Sequence, residues 1–380
     1  MGGRFRHPGS SRSAPLGMTL KFLREHLLVI GTAALAAVFV LTGRVTPRAA
    51  VRAIDFRVLL VLFALLITVE ILRASGYLDL IVERTVAKFH DTRPFAAVMI
   101  LVSGALAALM TNDVALFVVI PFTVVAGRIS DFDVEDCVVL EVIATNLLGC
   151  LTPLGNPQNL FIYHRAGWTA SRFVLTMLPF VAWSACGLLI AIFLMRGSQR
   201  IEAASVELPR RDGRIAAAGA ICFLLVLLEI GHVWPAWVAA IAAPIAGAIT
   251  LRRRLFTIDL SIVPLFFFAF IVVEGLRSFD LGAFLRGNTY VVSILLSQVI
   301  SNVPATVLLT PFAEPRWREL LYGVSAGGCG TIIASLANLL AWRIYVRESN
   351  RDRKFFRRLT AINFAFLAWA GVGGWLLLSF

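Results

Sequence analysis

A chain of 380 residues that is 59% hydrophobic and 15% charged, with a mean hydropathy of +0.83, holds more apolar side chains than one soluble core can bury. Its net charge of +12 invites a nucleic-acid reading, but the basic residues are spaced along the chain as a membrane-topology signal, so lipid is expected around it and nucleic acid is not. The five cysteines form no CxxC pattern and the five histidines fall in the tail or near expected membrane ends, which excludes a disulfide framework, a zinc site and a ligand cluster.

Residues 1–20 open the chain with Arg, Gly, Ser and Pro and read as a disordered tail, with Met18 an alternative start. The helix that follows is expected to be retained rather than cleaved as a signal peptide. Apolar runs of spanning or near-spanning length then recur at 27–42, 58–72, 94–110, 114–127, 138–163 and 173–194, and again at 215–230, 237–251, 260–276, 291–309, 320–341 and 356–380. Counting crossings with 94–127 as a hairpin that returns to its own side places 25 of the 35 Lys and Arg on one side and 10 on the other. That asymmetry predicts an inner-membrane protein with a cytoplasmic N-terminus and a periplasmic Phe380. The Trp residues mostly read as interface anchors.

The chain matches itself. Ile54-Asp55 and Val69-Glu70 recur at Ile258-Asp259 and Val273-Glu274, 204 residues on. Thr111-Asn112 followed by Pro121 recurs as Ser301-Asn302 followed by Pro311, at 190. Gly149-Cys150-Leu151-Thr152 and Asn159-Leu160 recur as Gly328-Cys329-Gly330-Thr331 and Asn338-Leu339, at 179. An odd number of crossings separates the halves, so the second is inverted relative to the first. The expected fold is an all-α polytopic membrane protein of two inverted-topology repeats with re-entrant hairpins and discontinuous helices. Residues 21–195 form the first repeat, with a hairpin at 94–127 and a broken helix at 151–159. A cytoplasmic linker at 196–213 leads to the second, 214–380, with a hairpin at 290–313 and a broken helix at 327–338.

The breaks carry the chemistry. In the run 151–160, Pro153 and Pro157 remove backbone donors and Gly155 loosens the chain, so a helix should unwind at Thr152 and restart with Asn156 as its cap. In the second half, Gly327 to Thr331 does the same, with a restart at Ser335. Unwound backbone at membrane depth must face protein or a wet cavity. A restarted helix aims free N–H groups into that cavity and suits an oxyanion, whereas carbonyls at the preceding end suit a cation. Two further breaks, Thr111-Asn112-Asp113 and Ser301-Asn302-Val303-Pro304, read as hairpin tips. The candidate site is therefore Thr111, Asn112, Asp113, Thr152, Gly155, Asn156, Asn159, Ser301, Asn302, Thr331, Ser335 and Asn338. An isolated Asn in such a helix would be interhelical glue, but four polar breaks in two matched pairs point to a shared mid-membrane site.

Asp113 is the sharpest single residue, because a carboxylate at this depth is costly and its mate is Val303. It could carry the coupled proton or bind Na⁺; capping a buried hairpin is the simpler role. Glu70 and Glu274 each have an Arg three residues on and read as structural ion pairs. Glu141 and Asn146, with no obvious partners, are left as pathway residues. Cys150 and Cys329, matched beside the breaks, read as small packing residues.

With these motifs in hand, the chain resembles the ion transporter superfamily of arsenite permeases, sodium/proton antiporters, citrate-type permeases and dicarboxylate/sodium symporters. The resemblance rests on Thr-Asn-Asp at 111, Thr-Pro-Leu-Gly-Asn-Pro-Gln-Asn-Leu at 152, Ser-Asn-Val-Pro-Ala-Thr at 301 and Ser-Leu-Ala-Asn-Leu at 335. It implies a scaffold and a transport domain moving as an elevator, ions and substrate held at hairpin tips and breaks, no cofactor beyond a coupling H⁺ or Na⁺, and often a homodimer. Ser301-Asn302-Val303 departs from the Ser-Asn-Thr triplet of the symporters and speaks against two sodium sites. The function this implies is secondary transport of a small anion or oxyanion, arsenite-, citrate- or dicarboxylate-like. A Na⁺/H⁺ antiporter without organic substrate and a passive anion channel are the alternatives. A membrane-embedded enzyme would need a nucleophile with its base or a metal cluster, and no such set is legible.

Overall fold

The computed structural model describes residues 27–77, 80, 91–130, 134–195, 211–276, 287–349 and 353–379, with the side chain of Asp113 outside the description. The tail, most of the linker and Arg277 also lie outside the described residues. The helices are α1 Leu27–Leu41, α2 Pro47–Ala53, α3 Phe56–Ala74, α4 Thr92–Leu109, α5 Asn112–Ser130, α6 Glu135–Leu147, α7 Pro157–Ala166 and α8 Ala170–Leu194. They continue as α9 Gly213–Ile230, α10 Ala236–Thr250, α11 Ile262–Leu276, α12 Thr289–Ile300, α13 Asn302–Ala313, α14 Trp317–Gly327, α15 Leu336–Ser349 and α16 Arg353–Leu378. Short 3₁₀ turns follow α6 and α10. The fold is an all-α polytopic membrane protein. Among the described residues, five helices are long and apolar enough to cross a bilayer, and several shorter apolar ones accompany them.

Local chemistry sets the helix ends. Asp55 accepts from the Val58 amide at 3.2 Å to start α3, Thr169 accepts from Arg172 at 3.2 Å to start α8, and Asp212 accepts from Arg214 at 2.8 Å to start α9. Gly167, at φ +61°, ends α7 in the left-handed conformation that glycine adopts without steric cost.

Packing sorts the helices into two bodies. In one, α3 lies against α9 and α10, and α11 against α1. In the other, α4 packs on α5 and α6, α12 on α13 and α14, and α8 and α16 close the outside. Close approach in the second body depends on small residues: Ser293 and Ser297 of α12 sit directly on Gly323 and Gly327 of α14, where an added Cβ would come within 2.7 Å. Lipid-facing surfaces are apolar, with Leu175, Phe193, Ile221, Ile249, Leu295 and Val299 all exposed.

Two of the eight Trp residues also have a packing role. Trp183 of α8 and Trp369 of α16 stack at 4.8 Å between centroids, and each indole N–H donates to the other's backbone carbonyl, at 2.9 and 3.0 Å. The rings lie over Gly187 and Gly373, so this pair locks two helices together.

Candidate functional site

The break in each half is closed by one asparagine. Asn159 Nδ2 donates to the carbonyls of Cys150 (3.1 Å) and Thr152 (3.3 Å); Asn338 Nδ2 donates to those of Gly328 (3.0 Å) and Thr331 (3.1 Å). Each amide therefore holds the unwound backbone that its own helix leaves behind, and the carbonyls expected for a cation already accept from it.

Each hairpin tip docks onto its neighbouring break through one backbone bond. Asn112 N–H donates to the Gly155 carbonyl at 3.1 Å, and Asn302 N–H donates to the Ala334 carbonyl at 2.9 Å. Thr152 Oγ1 donates to Ala108, and Thr331 Oγ1 donates to Gln298 at 2.9 Å. The tip at Ser301 sits at φ +75°, a conformation rare for a residue with a Cβ, held by the surrounding contacts. Gly155 is sterically required, since a Cβ there would lie 1.8 Å from the Gly149 carbonyl oxygen.

The two halves meet at Asn146. Its Nδ2 donates to Asn338 Oδ1 at 2.9 Å, and its Oδ1 accepts from Ser335 Oγ at 3.0 Å and from Asn112 Nδ2 at 3.5 Å. Thr111, Asn112, Asn156, Asn159, Ser301, Asn302, Ser335 and Asn338 are all buried. Sequence reasoning placed Asn146 among pathway residues, outside the candidate site. Its place in the repeat register, three residues before Gly149, was the available signal.

Around the first break, several buried polar atoms have no hydrogen-bond partner: Thr111 Oγ1, both side-chain polar atoms of Asn156, Asn159 Oδ1 and Ser325 Oγ. Asn156 occupies the N-cap position of α7 but its side chain makes no capping bond. A buried unpaired polar atom costs about 1–3 kcal/mol, so a cluster of them marks a place built for something else.

Glu70 and Arg73 pair at 3.4 Å, as the sequence suggests. Glu141 is buried, its Oε1 accepting from Thr123 and from Cys137. Cys150 and Cys329 are buried. No group of His, Cys, Asp and Glu suited to a metal occurs among the described residues.

The histidines, however, do not all stand apart. His164 and His232 lie 6.0 Å between ring centroids, and His164 Nε2 is 3.5 Å from Glu229 Oε2. Arg57 Nε donates to Glu229 at 2.6 Å and Arg57 reaches His232 Nδ1 at 2.7 Å. Beside them Arg165 is 3.4 Å from Asp55. This group fastens the end of α7 to the start of α3 and the end of α9. At the opposite end of α3, a cavity of about 330 Å³ runs between α3, α5, α11 and α15 and is lined by Glu70, Arg73, Asp259 and Arg343, with Thr111 in its wall.

The sequence model of a family described as citrate transporter matches residues 20–315. The chain is 30% identical over 342 residues to the inner membrane protein YbiR of Escherichia coli, covering 87% of this chain and 90% of the relative. It is 31% identical over 309 residues to the uncharacterized transporter MJ0456 of Methanocaldococcus jannaschii, covering 79% and 84%. A magnetosome protein, MamN, of Magnetospirillum gryphiswaldense is 25% identical over 370 residues, covering 84% of each chain. Apolar helices in two bodies, paired breaks joined by asparagines and matches along most of the length agree: the chain is a multi-pass membrane transporter belonging to the citrate transporter family.

Proposed function

We propose that this chain is a secondary active transporter of a small anion or oxyanion, coupled to H⁺ or Na⁺, in which two inverted repeats form the site and one body carries it past the other. The observation that carries the reading is the cluster of buried, unpartnered polar atoms at Thr111, Asn156 and Asn159, where a hairpin tip meets a broken helix. A polar ligand satisfies these groups, and the start of α7 adds a favourable dipole for an anion.

The ends of the structure support alternating access. At one end Asp55–Arg165 and Glu229–His164 tie the two bodies together; at the other, the cavity beside Asp259 and Arg343 leads to Thr111. By the Lys/Arg asymmetry the tied end is periplasmic and the cavity is cytoplasmic, so the conformation is inward-facing. The carboxylate of a substrate is suggested by the family description, and the homodimer by the superfamily resemblance.

Proteoliposomes assayed with citrate, dicarboxylates, arsenite and sulfate, each under imposed Na⁺ or pH gradients, test the reading. Gradient-driven accumulation of one of these is expected. Sodium/proton exchange with none of them would favour the antiporter, and gradient-independent flux would favour a channel.

A further inference from the structure

We propose that the two polar half-sites of this transporter are unequal: the half-site at the second break is closed by the chain's own Asn146, and cargo binds only at the first. This rests on the transport reading above and assigns a specificity-determining pair, Asn146 and Ser325, that decides which half-site is vacant.

The 179-residue register pairs Asn146 with Ser325, Gly155 with Ala334, Asn156 with Ser335 and Asn159 with Asn338. Gly155 and Ala334 do play the same part, each accepting the amide of a hairpin tip. At the second break the Asn146 carboxamide fills the space between Ser335 and Asn338, accepting from one and donating to the other. By this register Ser325 takes the place of Asn146 at the first break, with a side chain of two fewer heavy atoms. It sits beside the Cys150 thiol. What Asn146 satisfies on one side is left open on the other: Asn159 Oδ1 and both polar atoms of Asn156 lack partners, as does Ser325 Oγ. Asn156, Asn159 and Ser325 are each at most 1% exposed, so bulk water does not answer for them.

Asn146 also indicates what the occupant looks like. Asn159 Nδ2 is committed to two carbonyls, so its Oδ1 is an acceptor that needs a donor. Asn156 offers both a donor and an acceptor. A hydroxyl-bearing oxyacid group, such as a protonated carboxyl or an alcohol beside a carboxylate, reproduces the donate-and-accept pattern of the carboxamide. A bare cation satisfies only the acceptors.

The test uses purified full-length protein titrated calorimetrically with citrate, and with NaCl against choline chloride, together with melting temperatures taken without ligand. Wild type is expected to bind one equivalent of citrate. Ser325→Asn supplies the missing carboxamide, so it should weaken citrate binding by about tenfold or more while raising the ligand-free melting temperature. Asn146→Ser opens the second half-site and should raise the stoichiometry to two; if it does not fold, Ser325→Asn decides alone. Unchanged citrate affinity in Ser325→Asn, or a melting temperature that does not rise, overturns the proposal. Binding of sodium but not citrate, lost in Ser325→Asn, overturns the oxyacid occupant. Wild type that binds neither probe, with a raised melting temperature in Ser325→Asn, would retain the unequal half-sites and sink the transport reading instead.

Discussion

Arg165, on the last turn of α7, reaches the Asp55 carboxylate at the start of α3 across 3.4 Å, so the helix that begins at the first break ends in an ion pair with the other body. Anything that moves the break must strain or release this contact. Arg165 is 40% exposed, and an isolated pair at such a position contributes little. The neighbouring Glu229, 1% exposed and 3.5 Å from His164 of α7, is the more deeply buried tie.

Replacing Glu229 with Gln, alone and with Asp55→Asn, is therefore predicted to loosen the closed end. Labelling of a cysteine at Thr111 by a membrane-impermeant thiol reagent added from the periplasmic side should rise several-fold over the same cysteine in the parent. Equal labelling would show that these pairs do not hold the closed end.

Gly155→Ala places a methyl group 1.8 Å from the Gly149 carbonyl oxygen and 2.7 Å from its carbon, both backbone atoms with little freedom to give way. Overpacking of this kind costs about 1–3 kcal/mol or more, and the shift would displace the carbonyl that receives the Asn112 amide. A lowered melting temperature with loss of transport is expected. Gly31→Ala, where nothing lies within 4 Å, is the control and should melt as wild type does.

For the Trp183–Trp369 pair, truncating one indole to Ala removes a stacked ring and the hydrogen bond that its N–H donates, at a cost of about 3–5 kcal/mol. Trp183→Phe keeps a ring and loses one N–H donor, at a cost of about 1 kcal/mol. Thermal unfolding in detergent should rank the variants wild type, Phe, Ala. Equal melting of the two variants would show that the ring contributes nothing beyond its one hydrogen bond.

Asp113, the second residue of α5, is predicted to couple transport to the ion gradient. An ionised carboxylate in a dry site repels an anion, so the anion binds once a proton or cation has neutralised it. In Asp113→Asn, gradient-driven accumulation should fall to the level of downhill exchange while exchange itself persists. Full accumulation by this variant would move the coupling role elsewhere, with Glu141 the first residue to examine.

Much of this architecture was legible because backbone chemistry announces it. Pro153, Gly155 and Pro157 interrupt an apolar run that would otherwise be one helix, and α6 and α7 separate there. The run 291–309 is continuous in hydropathy, yet α12 and α13 part at Ser301, where Ser-Asn-Val-Pro marked the tip. Hydropathy cannot show which distant side chains meet. His164 and His232 are 68 positions apart and Trp183 and Trp369 are 186 apart, and nothing local distinguishes them from interface residues. Asn146 was visible but undecidable, because its two shortest hydrogen bonds are to Asn338 and Ser335, on the other side of the chain's midpoint.

The two breaks also differ in how firmly they are pinned. Gln298 donates to the carbonyls of Gly327 and Cys329 and accepts from the Thr331 amide at 2.9 Å, bracing a turn in which Gly330 sits at φ +108°. Its counterpart beside the first break is Ala108, which offers only its backbone carbonyl to Thr152. One elbow of the molecule is thus splinted and the other free to flex. Local opening should begin at the first break, and amide hydrogen exchange should be faster around Gly155 than around Thr331. The free elbow is also the one beside the vacant polar groups, so an arriving molecule would stiffen the softer joint and leave the rigid one as a fulcrum.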